Sequence, residues 1–361
     1  MIPRHTTVTD SPAPPDCADL TDRLTPLLGS ASGATAVAVA ALRGGEQSLL
    51  CRGSADRTGS RSVDPATRFE VGSVTKTFTA LVLAEAVARG DVSLNDPVAR
   101  YLPPGTAPAH RSGEPITLLH LATHTSGLPR LPRGMLRTAA RSWSSNPYGS
   151  YSDRQLLSSL AATRVRARPG SRVHYSNLGV GLLGRALAEA AGVPYAELLR
   201  DRVLEPLSLT RTTCDPGCAQ ATGYWHGRAR PPWSIAALPG AGALRSTAGD
   251  LLRYLLVLLD PTVAAGRRAS LAQALADVQR PRLQLPRTGE RTCLVWSLRP
   301  APGRDLFFHS GATRGFTAFI GFCPQARTGL AAVANTTPGC RSTFIQDAYT
   351  LLQDLAETAP R

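Results

Sequence analysis

Short apolar runs that read as strands gather at the two ends of this chain, with helix-length periodic stretches between them. Near the start, "ATAVAVAALR" (34–43) and "EQSLLCRG" (46–53) flank a Gly-Gly pair and read as an antiparallel hairpin. Toward the end, "RTCLVWSL" (291–298), "DLFFHSG" (305–311), "GFTAFIGFCP" (315–324) and "TGLAAVANT" (328–336) follow one another with turns between. The segments 73–90, 114–127, 176–192, 194–207 and 246–259 read as helices, the first stopping at Gly90. Thr247, three residues before Asp250, resembles a capping box. Outer helices are expected at 17–29 and 343–357.

Strands at both ends with helices between predict an α+β fold. One antiparallel sheet takes strands from both termini and is flanked by N- and C-terminal helices, and a mainly helical lobe is inserted. The expected division is a disordered tail at 1–15, an α/β lobe from 16–90 and 289–361, and a helical lobe over 91–288. Residues 129–153 have no clear period, and a loop that long is often functional.

Composition excludes several classes. At 361 residues, 43% apolar and 18% charged, the chain suits an ordinary soluble enzyme. The net charge of +14 comes from arginines spread along its whole length. With aromatics at 6% and no basic helix or stacking motif, no nucleic-acid partner is expected. No run approaches the ~20 apolar residues of a membrane span. The opening "MIPRHTTVTDSPAPPD" shows no apolar signal core, so a cytoplasmic location is expected. Cysteines 17, 51, 214, 218, 293, 323 and 340 are scattered and odd in number, which suits reduced thiols. Cys214 and Cys218 with His226 match no tight zinc spacing, so no metal is expected, nor any cofactor.

The chemistry starts from "FEVGSVTKTF", because Lys76 is the only lysine and every other cation is arginine. A guanidinium cannot act as a base, whereas a desolvated amine can. Ser73, three residues earlier, shares a helix face with Lys76, and the helix start favours developing oxyanion charge. A serine hydroxyl needs such a base to become a nucleophile. The plainer reading makes Ser73 a helix cap. "VHYSNLG" presents the Tyr175 phenol and the Asn177 carboxamide before a helix; the plainer reading is a buried tyrosine and a cap. "FFHSGATRGF" sets His309, Ser310 and Gly311 on an apolar strand. Gly311 lets a substrate backbone approach, and the Ala312 N–H completes an oxyanion hole. A strand end followed by a turn is the plainer alternative.

In this order and spacing, the three pieces resemble the serine penicillin-recognising enzymes. They are most similar to the class C β-lactamase-like branch, with its D-alanyl-D-alanine peptidases and esterases. The resemblance spans residues 35–358 and includes "LLHLATHTSGLP" (118–129), "EPLSLTRTT" (205–213), "ATGYWHG" (221–227) and "STAGDLLRYL" (246–255). It implies Ser73 as the acylated nucleophile, Lys76 as its proton acceptor, and Tyr175 as the proton shuttle to the leaving group and the later activator of water or amine. It also implies Asn177 holding the substrate amide and the N–H groups of Ser73 and Ala312 forming the oxyanion hole. The third motif departs from the common Lys-Thr-Gly, reading His309-Ser310-Gly311, which weakens a β-lactamase reading. His309 becomes a substrate-facing group or a modulator of the Tyr175 proton. No carboxylate is placed to activate water in the class A manner.

The expected function is therefore a serine hydrolase or transacylase acting on a small ester or amide through an acyl-enzyme. The acyl group passes to water or an amine acceptor, in cytoplasmic natural-product metabolism, with transfer outrunning hydrolysis. A D-Ala-D-Ala-type carboxypeptidase or weak β-lactamase is the alternative, and a non-catalytic penicillin-binding-like sensor is a further one. The sequence carries no signal for oligomeric state.

Overall fold

In the computed structural model of the chain, Gly44 and Gly45 take positive φ angles of 58° and 101°. This two-residue turn joins Ala36–Arg43 to Glu46–Gly53 with Arg43 opposite Glu46, the hairpin geometry that matches strand twist. The structure describes residues 20–110, 113–140, 142–165, 167–266, 268–285, 288–339 and 342–359. The tail expected at 1–15, residues 17–19 of the first helix, Cys17 and Cys340 lie outside them.

Ala36–Arg43 pairs on its other side with Thr328–Ala334, so the two ends of the chain share one antiparallel sheet, as expected. The order runs Glu46–Gly53, Ala36–Arg43, Thr328–Ala334, Thr317–Cys323, Arg304–Ala312, Ser297–Ala301, Arg291–Thr292, Leu283–Gln284. The central strands are buried on both faces, and residue parity decides which core each side chain joins. Val37, Val39, Ala41, Phe319 and Leu330 pack under the terminal helices Leu20–Ser30 and Phe344–Glu357 through Leu24, Phe344 and Leu352. Ala38, Ala40, Leu42, Ile320 and Val333 face the larger core instead, built with the helices Thr75–Arg89, Asn177–Ala191 and Ala248–Leu259. A Cβ on Gly329 would lie 3.4 Å from Leu255 Cβ on the last of these helices, an ordinary packing contact.

Several elements differ from their sequence reading. "RTCLVWSL" is not one strand: Val295 is left-handed (φ 68°) and the Cys293 N–H donates to the Trp296 carbonyl, so a turn splits the run. The helix expected over 114–127 is confined to Leu118–Ala122, opened by a Thr117–His120 capping box and followed by left-handed His124 (φ 57°). Tyr195–Leu199 widens into a π-turn at Arg200–Leu204, where the Glu205 N–H donates to the Arg200 carbonyl. Thr247 caps the Asp250 N–H, but the Asp250 carboxylate turns away to accept from the Arg211 N–H and the Thr212 hydroxyl. Half of the expected capping box forms. The 129–153 segment holds a short helix, Met135–Thr138, and buries Met135, Tyr148 and Tyr151.

Among the described residues, Cys51, Cys214, Cys218, Cys293 and Cys323 are free thiols. No group of three or more His, Cys, Asp or Glu there is placed to hold a metal ion. No helix among them is long and apolar enough to cross a membrane.

Candidate active site

Ser73 sits in a tight 3₁₀ turn, Gly72–Val74, that leads from the short strand Phe69–Glu70 into the helix Thr75–Arg89. Gly72 has φ +49°, and a Cβ on it would lie 2.6 Å from the Ala312 carbonyl oxygen and 2.8 Å from the Ala312 nitrogen. Across the contact, a Cβ on Gly311 would lie 2.1 Å from the Val71 oxygen and 2.8 Å from the Ser73 nitrogen. The two glycines let the serine turn and the strand end cross backbone on backbone. The expectation that Gly311 makes room for a substrate backbone is corrected: the backbone it admits is the protein's own. The Thr313 N–H donates to Phe316, so antiparallel alternation turns the Ala312 N–H away from that strand.

One helical turn on, Lys76 is fully buried. Its Nζ lies 2.9 Å from Ser73 Oγ and donates to the Ala241 carbonyl at 2.7 Å. Burial pushes the Lys76 pKa below its ordinary value; the Tyr175 hydroxyl opposes this and the Arg130 charge adds to it. Among the described residues no carboxylate pairs with this amine. Tyr175 Oη reaches Ser73 Oγ from the other side at 2.7 Å. The structure thus brings Ser73, Lys76 and Tyr175 together on one oxygen.

Tyr175 and Asn177 bracket Ser176, which caps the helix Asn177–Ala191 by accepting from the Gly179 N–H. The cap belongs to Ser176, which frees the two flanking side chains for the cleft. Asn177 Nδ2 donates to Tyr148 Oη at 2.9 Å, and its buried Oδ1 has no partner among the described residues. Tyr148 comes from the unpatterned 129–153 segment and packs edge-on against Trp233.

His309 is buried, and its Nδ1 lies 2.8 Å from the Ser310 carbonyl, an acceptor that places the ring proton on Nδ1. Burial first, then the Lys76 charge, pushes its pKa down to about 3, so the imidazole is neutral. The Ser310 side chain alternates to the other face of the strand from Gly311. What Ser310 brings to the cluster is its carbonyl.

Further residues support the site that the sequence reading did not single out. Buried Glu70 accepts from the Trp233 N–H (2.6 Å) and Gln220 Nε2 (3.0 Å) on one oxygen and from the Thr313 hydroxyl (2.7 Å) on the other. It ties the serine turn to the residue following Ala312 and to the loop behind Tyr148. Arg245, equally buried, stands 3.9 Å from Glu70 and donates to the carbonyls of Ala243 and Trp233. At the rim, the Arg130 guanidinium lies 5.3 Å from the Tyr175 ring centre, and Arg314 is sandwiched between Trp143 and Trp225 at 5.4 and 4.9 Å. Burial and neighbouring Arg230 push the Arg314 pKa down, opposed by Tyr148. Glu70 was visible as an acid inside an apolar stretch beside Ser73, but nothing marked Arg130 or Arg314 among so many arginines.

A family model described as beta-lactamase matches residues 21–355. The chain is 29% identical to the D-alanyl-D-alanine-carboxypeptidase/endopeptidase AmpH of Escherichia coli (strain K12), with 96% of this chain and 91% of the relative covered. It is 28% identical to a beta-lactamase of Escherichia coli (strain K12), covering 90% of each. A beta-lactamase of Yersinia enterocolitica is also 28% identical, with 92% of this chain and 89% of the relative covered.

Proposed function

The chain belongs to the beta-lactamase family of serine hydrolases, and from its geometry we propose that it cleaves a small ester or amide through an acyl-enzyme on Ser73. The observation that carries this is Ser73 Oγ held between a fully buried amine at 2.9 Å and a phenol at 2.7 Å. Neutral Lys76 takes the hydroxyl proton as Oγ bonds to the acyl carbon. The N–H groups of Ser73 and Ala312 receive the developing oxyanion. As the bond to the leaving group breaks, Tyr175 gives that group a proton and is reprotonated from Lys76. In the second half neutral Lys76 takes the Tyr175 phenolic proton, the resulting phenolate accepts a proton from the incoming water or amine as it bonds to the acyl carbon, and the proton on Lys76 passes to Ser73 Oγ as it leaves. Asn177 Oδ1, without a partner among the described residues, is placed to accept a substrate N–H. The buried carboxylate nearest in sequence, Glu70, is fully engaged, which leaves Tyr175 and Lys76 to handle deacylation. The acceptor we propose is an amine in preference to water, and a product mixture dominated by free acid would overturn that part.

A second reading is favoured by the rim. Arg130 and Arg314 face aromatic rings and form no ion pair among the described residues. This supports an amide substrate carrying a carboxylate, as the name of the carboxypeptidase relative describes for that protein. Turnover of a D-Ala-D-Ala peptide that exceeds turnover of a neutral ester would select it.

The test of both is an intact-mass time course with benzylpenicillin on wild type and Ser73→Ala. A covalent adduct on wild type alone supports acylation at Ser73. An equal adduct on both proteins overturns it.

A further inference from the structure

Tyr175 must hold its hydroxyl 2.7 Å from Ser73 Oγ, yet it sits in an irregular stretch before a helix, outside any strand ladder. The Pro129 and Arg130 carbonyls hold the chain after it, through Ser176 Oγ and the Asn177 and Leu178 N–H groups, and His124 holds it on both sides. The His174 N–H donates to the His124 carbonyl at 2.7 Å, and the Ser176 N–H donates to His124 Nδ1 at 3.2 Å. The imidazole lies on the Tyr175 ring with centroids 4.5 Å apart. One residue therefore grips the chain before Tyr175, the chain after it, and the ring itself. To do so His124 adopts φ 57°, a left-handed conformation that an ordinary side chain avoids, in a site where it is only 5% exposed.

We propose that His124 is the positioning residue of Tyr175, fixing the phenol against Ser73 without touching substrate itself. The inference rests on the proposed role of Tyr175. For Nδ1 to accept from Ser176, the ring must be neutral with its proton on Nε2. Burial, reinforced by the charge of Lys76 and the neighbouring His309 and His174, holds the His124 pKa down at about 3 and keeps it in that form. The backbone strain is stored beside the chemistry, where over-determination by several contacts sustains it.

Two substitutions separate the grips. His124→Asn keeps an acceptor near Nδ1 and suits a left-handed residue, but loses the ring. His124→Phe keeps a ring on Tyr175 and loses the acceptor. The experiment measures single-turnover acylation by p-nitrophenyl acetate, the dependence of that rate on ester concentration, and thermal unfolding of each variant. His124→Phe should slow the acylation step by about 100-fold, as expected for a displaced catalytic group, with half-saturation unchanged. His124→Asn should recover most of that loss. His124→Gln, whose amide reaches toward the Nε2 position, should not recover it, and serves as the comparison where His124→Phe does not fold. Wild-type acylation in His124→Phe or His124→Gln, or a loss that only tracks the unfolded fraction, overturns the proposal. Acylation of Ser73→Ala at the wild-type rate would instead overturn the functional reading on which it rests.

Discussion

Gly311 lies against the carbonyl of Val71 so closely that a single methyl group on it would stand 2.1 Å from that oxygen. The contact is backbone against backbone, so no side chain can move aside to relieve it. It sets the Ala312 N–H beside the serine turn, and the matching approach of Gly72 to Ala312 closes the same joint from the other side.

Gly311→Ala should therefore force the serine turn away from the strand. Overpacking of this kind costs about 1–3 kcal/mol or more. Acylation should fall by about 100-fold in the protein that still folds, because the two N–H groups no longer converge. Acylation kinetics beside a thermal melt check this; an alanine variant with wild-type kinetics would show that the joint does not shape the oxyanion site.

His309 and His124 both resist protonation, each with its pKa pushed down to about 3. A depressed folded pKa means that only the unfolded chain takes up these protons as pH falls below about 6.5. Stability is full above that pH and is lost below it, by roughly 1.4 kcal/mol per pH unit for each histidine. Urea denaturation between pH 7 and 4 should show this slope, and His309→Gln should remove about half of the part due to the pair. A slope unchanged by His309→Gln contradicts the assignment.

Glu70 and Arg245 are a buried pair, 3% and 1% exposed. Glu70→Gln leaves the guanidinium uncompensated and cannot accept from Thr313, Gln220 and Trp233 together. Removing one partner of a buried ion pair costs about 3–5 kcal/mol. Chemical denaturation is the check, and a loss below about 1 kcal/mol would mean that Arg245 is satisfied by its carbonyl partners alone.

Arg314→Gln should raise half-saturation by about 10-fold for a substrate bearing a carboxylate and leave a neutral ester unaffected, the selectivity expected of a charge-assisted contact. Steady-state kinetics on a matched pair of amides, one methylated at its carboxylate, make the comparison. An equal effect on both substrates would remove the rim from substrate recognition.

How much of this was legible beforehand depended on how local each signal is. The hairpin around Gly44-Gly45 and the helix ending at Gly90 were readable because turn glycines and periodicity are local signals. Lys76 was readable because a lone lysine contrasts with arginine everywhere else. Gly311 was recognised as a close-approach position, but its partner, Val71, lies 240 residues away and could not be named. Glu70 presents the same difficulty: its ligands Gln220, Trp233, Arg245 and Thr313 are scattered, and only the fold assembles them. His124 depends on a left-handed backbone that nothing in "LLHLATHTSGLP" announces, and the helix reading across it ran straight through the residue that ends it.

The central claim is that Lys76 is the base that makes Ser73 a nucleophile. The most direct measurement is the rate of Ser73 acylation against pH for wild type and Lys76→Arg. Burial lowers the Lys76 pKa, so the wild-type rate should rise with pH along a limb below the ordinary lysine value of 10.5. Lys76→Arg, which keeps the charge and cannot lose it, should be slower by about 1,000-fold or more at every pH. Near wild-type acylation by Lys76→Arg would contradict the account.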